Sequence, residues 1–509
     1  MKELRDLAYK YVDDGDKVNA LKILKEIEDF IEEGFQKDFM LSALYIDIGG
    51  AFKREDIVNK GIKCILKNLD FIEEDMGYQQ ALFYNLGNGY LALFGIKNKE
   101  NEFNSFFNKE NDGFKALKYY NKALNCDIYD KDIKIQILTN FANVLSIMGR
   151  SIEAIDYYNE SLKLNPKYGM TLINKGIAIK HYARLTGEKW GMYYNKAHDL
   201  IQKGLNYGVY NEARLIGLKC LTEIEESINV YPEKICNDYE KECNNLLNLE
   251  KFSLMFCKKH KLFLNICEEC QGCQNIANDN LTIRKMTVDI NTRINDDPFL
   301  KLSSFLNEIK QNYVAARFLM VQSQYKDDNL SFIDNRLLIV NTLNYIENNI
   351  YIQLLKFAYK NMFDILDKIA IFINEYLSLG KSEKYIDFNN IWTSKNNKNK
   401  IHKIILECNN INLNALFSLS VDLKNGELKY LNDIRNALTH RFLNIKLFKN
   451  EDLEELDEKK LLSYTIQISQ IVRSAIIYLL AFVDDIEYIK SKKSKGIIKV
   501  PCYVQYERI

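Results

Sequence analysis

The sequence predicts an all-α protein in two parts, a solenoid of paired helices followed by a helical bundle, with a small cysteine-rich connector between them. Three observations carry this expectation. Only 4 prolines occur in 509 residues, and because proline breaks helix interiors, their scarcity favours long uninterrupted helices. Apolar residues recur at helical spacing along most of the chain, which places them on one face of successive helices. Over residues 1–230, pairs of small residues twelve positions apart recur in successive units, as they do where two helices approach too closely for bulky side chains.

The units can be followed in order. Leu4, Leu7, Ala8 and Tyr11 share a helical face, Asp13-Asp14-Gly15-Asp16 supplies a turn, and Ala20, Leu24 and Ile27 continue on a second helix. Ile48, Gly49 and Phe52 lead in the same way to Gly61 and Ile65. Phe83, Leu86, Gly87 and Tyr90 are separated from Ala116, Tyr120 and Ala123 by a polar insertion at 97–112, and Gly176 from Ala197 by Thr186-Gly187-Glu188. The clearest copy sets Leu138, Phe141, Ala142 and Leu145 against Ala154, Tyr158 and Ser161, and ends at Pro166, which stops its second helix. These residues resemble the tetratricopeptide repeat. The resemblance implies a concave face that takes a protein or peptide, so an unidentified trigger on the array is an expected partner.

Composition narrows the remaining classes. Lys+Arg and Asp+Glu cancel at 69 each, so a nucleic-acid surface would have to be a local patch. The start, MKELRDLAYKYVDDGDK, has no basic n-region followed by an apolar h-region, and the most apolar run, 475–483, is short for a membrane span and reads as a buried helix. The expectation is a cytoplasmic protein with no membrane partner, whose 11 cysteines are reduced. Beyond residue 300, helices are expected over 303–325, 332–348, 352–379, 400–408, 428–438 and 461–490, with a loop at 393–403. Domains are accordingly expected at 1–230, 231–300, 301–493 and a short β-prone tail at 494–509.

The connector contains CKKHKLFLNICEECQGC, residues 257–273. Cys257 and His260 form one short-spaced pair, Cys267 and Cys270 another, and Cys273 is a fifth candidate ligand. Thiolate and imidazole at such spacing suit a small tetrahedral zinc clip of structural type, and a reduced thiol cluster without metal is the alternative. Redox chemistry at Cys267 and Cys270 is disfavoured because no βαβ pattern surrounds them.

The second informative segment is LNDIRNALTHRFLNIK, 431–446, which places Arg435, Asn436 and His440 on a late helix. On spacing alone an arginine followed by a histidine is unremarkable. Set in an all-helical domain, after a two-helix region and before an apolar final helix, the Arg-Asn-x3-His pattern resembles the HEPN superfamily of ribonucleases. With the repeats and the Cys-x2-His-Lys-Leu-Phe-Leu-Asn segment, it is similar to one TPR-linked HEPN clade, over about 255–490.

The resemblance implies a metal-independent endoribonuclease acting as a homodimer on RNA, in anti-phage defence or toxin-like growth arrest. RNA carries its own nucleophile in the 2′-hydroxyl, so the protein need supply only proton transfer and charge stabilisation. A histidine such as His440 can move the proton, Arg435 can hold the phosphate, and Asn436 can orient either. Five residues of helix is about 500°, so Arg435 and His440 diverge by about 140° and one helix focuses both on one phosphate poorly. Arg441 and His402 are further candidates for RNA contact, while His181 and His198 fall in the repeats and read as packing or surface residues. No cofactor is expected for catalysis. The rival class is a non-catalytic adaptor or RNA-binding scaffold. A DNA-binding regulator ranks below both, because no basic helix-turn-helix is evident.

Overall fold

The structure is a computed structural model that describes residues 2–30, 34–69, 78–98, 102–126, 130–185, 190–228, 248–266, 278–289, 296–326, 330–340, 343, 345–394, 397–446, 456–493 and 496–502. The chain divides into two compact units, Met1–Lys234 and Ile235–Ile509.

The first unit is a helical-repeat array. Its hairpins are α1 (Lys2–Asp13) with α2 (Lys17–Phe30), α3 (Phe35–Ala51) with α4 (Glu55–Leu66), α5 (Gln79–Lys97) with α6 (Asp112–Leu124), α7 (Lys131–Ile147) with α8 (Ser151–Leu164), and α9 (Gly169–Leu185) with α10 (Trp190–Leu205). A further helix, α11 (Asn211–Ile228), packs on the last hairpin. The small residues mark close approaches, as the sequence predicts. A Cβ on Gly87 would lie 2.4 Å from the Tyr120 ring, and one on Gly61 would lie 2.7 Å from the Ser42 carbonyl oxygen. Ala8, Ala20, Ala142 and Ala154 are fully buried. The insertion at 97–112 contains a short 3-10 turn, Phe103–Phe106, and Lys97 crosses it to pair with Asp112 at 2.8 Å. The second insertion, Thr186-Gly187-Glu188, lies outside the described residues.

One face of the array carries a row of carboxamides. Asn140 donates to Asn88 at 3.0 Å, Asn143 to Asn140 at 3.2 Å and Asn174 to Asn143 at 3.0 Å. Tyr120 and Tyr158, from the second helices of their hairpins, donate to Asn88 and Asn143. The row therefore ties α5, α7 and α9 together through side chains as well as packing.

Near the start of the array, the Tyr9 hydroxyl donates to Asp47 at 2.9 Å, and burial pushes the Asp47 carboxyl up to about 6 from 3.8. A carboxyl raised on folding binds more protons in the native than in the unfolded state, so its contribution is lost as pH rises through about 4 to 6. Asp47→Asn is expected to flatten the stability profile in that window and to raise the melting temperature of the repeat unit at pH 7. Circular dichroism melts at pH 4, 5 and 7 check this, and identical pH profiles for variant and wild type would refute it.

The second unit is a helical bundle. Its long helices are α13 (Pro298–Gln324), α15 (Ile350–Tyr376), α17 (Ile411–Asn425) and α19 (Glu458–Lys493), joined by the shorter α14 (Ser331–Asp334), α16 (Lys403–Cys408) and α18 (Lys429–His440). Pro298 occupies the first turn of α13, and the Asp297 carboxylate caps it by accepting the Phe299 N–H at 2.9 Å. The apolar run 475–483 lies within α19, which is long and apolar enough to cross a membrane by composition. Its apolar window is 83% buried, so the helix serves as the spine of the bundle. The β-prone tail forms β6 (Ile497–Lys499), antiparallel to β1 (Met286–Val288).

The connector docks on this bundle through its backbone. Tyr313 and Arg317 donate to the Leu262 carbonyl, Gln470 to that of His260, and Arg473 to those of Phe263 and Asn265. Arg317 also pairs with Asp279 at 2.6 Å. These donors, most of them buried, satisfy carbonyls that no helix or strand would otherwise occupy.

Three segments differ from the sequence reading. Among the described residues, the helix expected over 332–348 is confined to Ser331–Asp334, because Ile346 bridges to Lys446 and the Glu347 N–H donates to the Ile445 carbonyl at 2.8 Å. Leu343 and Tyr345 consequently adopt φ of 56° and 58°, outside the right-handed helical region. The loop expected at 393–403 is a hairpin of β2 (Thr393–Ser394) and β3 (Asn397–Ile401), so the helix expected from residue 400 starts at Lys403. Finally, α17 was not predicted. Its residues 412–423 are buried on every side, and the polar members leave no amphipathic stripe to recognise.

Candidate functional site

The Arg435 helix, α18, is held at two points. Leu431 is fully buried and its carbonyl accepts the Tyr359 hydroxyl at 2.6 Å, while the Tyr430 ring lies 5.2 Å from that of Tyr464. With those residues turned to the bundle, Asn432, Arg435 and Asn436, at i, i+3 and i+4, face a cavity of about 210 Å³. Phe363, Leu366 and Asp367 of α15 and Leu423 of α17 form one side of it. Asp387, Phe388 and Asn389, from the loop before β2, close the other.

The loop is rigidly made. The Asp387 carboxylate accepts the N–H groups of Asn389 and Asn390 at 2.8 and 2.9 Å. Trp392, fully buried, donates from Nε1 to the Phe388 carbonyl at 2.8 Å and packs edge-on against Phe388 and Phe417. The Phe388 N–H donates to Asp367 at 2.9 Å, and burial raises the Asp367 carboxyl to about 6 despite Arg435 opposing the rise. The Asn389 Oδ1 is enclosed and accepts no hydrogen bond from the protein.

Arg435 donates weakly to the Asn436 Oδ1 at 3.3 Å. Asn436 is four residues before His440, so the two share a face. Asn436 therefore stands between an arginine aimed at the cavity and a histidine outside its walls, and the divergence of Arg435 from His440 remains within one chain. His440 is exposed as the last residue of α18, and the exposed Arg441 leaves the helix in an extended conformation. Phe442 follows, 99% exposed. The next turn is fixed: Lys356 donates to the Leu443 carbonyl at 2.9 Å, and β4 (Ile445–Lys446) pairs with β5 (Leu456–Asp457).

His402 lies elsewhere. Its Nδ1 accepts the Ile404 N–H at 3.3 Å as the cap of α16, which assigns the proton to Nε2. Burial, with Lys381 nearby, lowers its pKa. Of the zinc candidates, Cys257 is fully buried near the end of α12 (Asn248–Lys259), and burial raises its thiol to about 11. The His260 ring lies 4.7 Å from that of Phe256. Cys267, Cys270 and Cys273 lie outside the described residues, and among the described residues no three potential ligands come together. His181 has a pKa lowered by burial to about 4, and His198 approaches Glu225 at 3.2 Å.

The arrangement places an arginine beside a partly apolar cavity and a histidine on the same helix, in an all-helical bundle following a helical-repeat array. That architecture is a helical-repeat array joined to an all-helical domain. The family model of LA2681-like HEPN domains matches residues 295–485, so the C-terminal unit carries a domain of that family. The chain is also similar to a pentatricopeptide repeat-containing protein 1 of the apicoplast from Plasmodium falciparum (isolate 3D7). Identity is 23% over 290 residues, which cover 54% of this chain and 43% of that protein. The alignment thus spans less than half of the relative's length, and its repeats accord with the helical array of the first unit.

The cavity wall was not legible in the sequence. Asp367 sits in an apolar helix and Asn389 in an unremarked loop, with nothing in local spacing to connect either with Arg435.

Proposed function

We propose that the C-terminal unit is a metal-independent endoribonuclease, controlled by the repeat array, that serves in cytoplasmic anti-phage defence or toxin-like growth arrest. The HEPN match supports an RNA-related role. The observation that carries the catalytic reading is Arg435 opening onto a cavity while Asn436 and His440 continue along the exposed face of the same helix. In the reaction, the 2′-oxygen of RNA attacks the adjacent phosphorus and the P–O5′ bond breaks. The products are a 2′,3′-cyclic phosphate and a 5′-hydroxyl. His440 takes the proton from the 2′-hydroxyl or gives one to the leaving 5′-oxygen, and Arg435 stabilises the charge that grows on the phosphorane.

Two copies of α18 would supply the acid and the base from separate histidines. An apolar surface supports this pairing: Leu338 and Phe442 are 97% and 99% exposed, and Val340 and Leu343 are largely exposed. The strand bridge from Ile346 to Lys446 brings that segment to the chain that leaves His440. Replacing Leu338 and Phe442 together by aspartate is expected to convert a dimer to a monomer in analytical ultracentrifugation and to abolish cleavage. A wild type that is monomeric yet active removes the dimer.

The polar face that the carboxamide row makes across α5, α7 and α9 supports a peptide trigger on the array. The decisive test of the function is incubation of full-length protein with RNA in chelator, followed by mapping of the termini. Cyclic phosphate ends are expected. RNA that is bound but left intact would instead identify an adaptor.

A further inference from the structure

We propose that the carboxylate of Asp47, beside the carboxamide row of the array, is the binding site for a lysine side chain of the trigger peptide. This site rests on the reading of the array as the seat of a peptide trigger. Asp47 lies in α3, and its Oδ2 accepts the Tyr9 hydroxyl of α1 at 2.9 Å. Among the described residues, its Oδ1 accepts no hydrogen bond and no lysine or arginine pairs with it. The residue is partly exposed, and this second oxygen is open to solvent rather than enclosed. Although burial raises the carboxyl to about 6, it is mostly ionised at pH 7. A carboxylate largely withdrawn from water without a cation is costly to keep, and a ligand cation removes the cost. Its replacement by asparagine is expected to stabilise the array, so the charge does not serve the fold.

The surroundings are gathered from the whole length of the array. Asn211, the first residue of α11, donates to the Asp13 carbonyl at the end of α1 at 3.3 Å, which brings the last helix of the unit to its first. Tyr210 stands directly before α11, and its carbonyl accepts the Arg214 N–H of that helix. Burial raises the Tyr9 and Tyr84 hydroxyls, and Asp47 and Tyr210 are near enough to raise both further. Asp47 thus lies among Tyr9, Tyr84 and Tyr210. Tyr84 joins this group to the carboxamide row by accepting from Asn140 at 3.3 Å. Arg5 lies near Tyr9 but makes no ion pair with Asp47. Tyrosine rings attract a cation through their faces, and Tyr210, 66% exposed, can lie along the stem of an entering side chain. Lysine suits the site better than arginine. Its ammonium is a point charge that one oxygen can meet, whereas the guanidinium fork is matched by two carboxylate oxygens, and Tyr9 already holds one of them.

Full-length protein is panned against phage-displayed random octapeptides, and lysine is expected to be enriched over arginine at one position of the selected sequences. A selected peptide is then made with both termini capped and titrated calorimetrically beside its arginine and acetyl-lysine versions. The lysine peptide is expected to bind at least about tenfold more tightly than the acetyl-lysine one, as for loss of a charge-assisted hydrogen bond. Asp47→Asn is expected to erase that advantage while binding the acetyl-lysine peptide as the wild type does, and its melting temperature confirms folding. Tyr210→Ala, at an exposed position, is expected to weaken the lysine peptide more than the acetyl-lysine peptide. Equal binding of lysine and acetyl-lysine peptides, or an advantage that survives Asp47→Asn, overturns the site. Selected peptides that lose binding when the amino terminus is capped, whatever their lysine content, assign Asp47 to a terminal amine and overturn the lysine. Peptides selected without any lysine preference overturn the site and leave the peptide reading standing, whereas selection of no peptide overturns both. Lysine-dependent binding that leaves RNA cleavage unchanged keeps the site and removes the trigger.

Discussion

His440→Ala is expected to lower the RNA cleavage rate by about 10²–10⁴, the range for removing a general acid or base. Arg435→Ala is expected to cost about 10²–10³, as for loss of one donor aimed at developing charge. The double variant should be little worse than the poorer single one, because groups that act in one step are not additive. Neither loss should come from unfolding. His440 is exposed at the end of α18, and the helix is anchored through Leu431 and Tyr430. Arg435→Lys separates charge from geometry: a retained charge without the planar fork should recover only part of the rate. Cleavage assays under single-turnover conditions measure all of this. Undiminished activity in both Arg435→Ala and His440→Ala would remove the mechanism.

What could be read from sequence followed from whether the cause was local. The repeats announced themselves because two backbones that nearly touch forbid side chains at fixed intervals. Gly61 and Gly87 are constrained by Ser42 and Tyr120 in just this way. The helix bearing Arg435 was legible for a related reason, since its polar and apolar residues alternate at helical period. Elements decided by distant contacts were not legible. Residues 332–348 are apolar enough for a helix, yet the bridge from Ile346 to Lys446 fixes the end of that segment outside one. In α17, Asn410 and Asn412 are satisfied by Asp485, 75 and 73 residues away. The cavity shows the same limit on a functional scale. Arg435 could be chosen from its motif, whereas Asp367 and Asn389 become relevant only once four separate segments line one space.

Trp392→Ala should be the most damaging single change to the second unit, and it tests whether the cavity wall is built from the core outward. Trp392 is fully buried between Phe388 and Phe417, with its indole N–H on the Phe388 carbonyl. Truncation removes a large apolar side chain and leaves a void, which costs about 3–5 kcal/mol. In a domain of this size each 1 kcal/mol shifts the melting temperature by roughly 2–4 °C, so a fall on the order of 10 °C is expected. Trp392→Phe discriminates packing from positioning. It keeps most of the buried ring but cannot donate to Phe388, so most of the stability should return. Phe388 then loses one of its two backbone anchors while the Asp367 contact remains. The RNA cleavage rate should consequently drop in Trp392→Phe more than its melting temperature does. Proportionate recovery of both would mean that the tryptophan only fills space, and that Asp367 and the Asp387 turn suffice to hold the loop at Arg435.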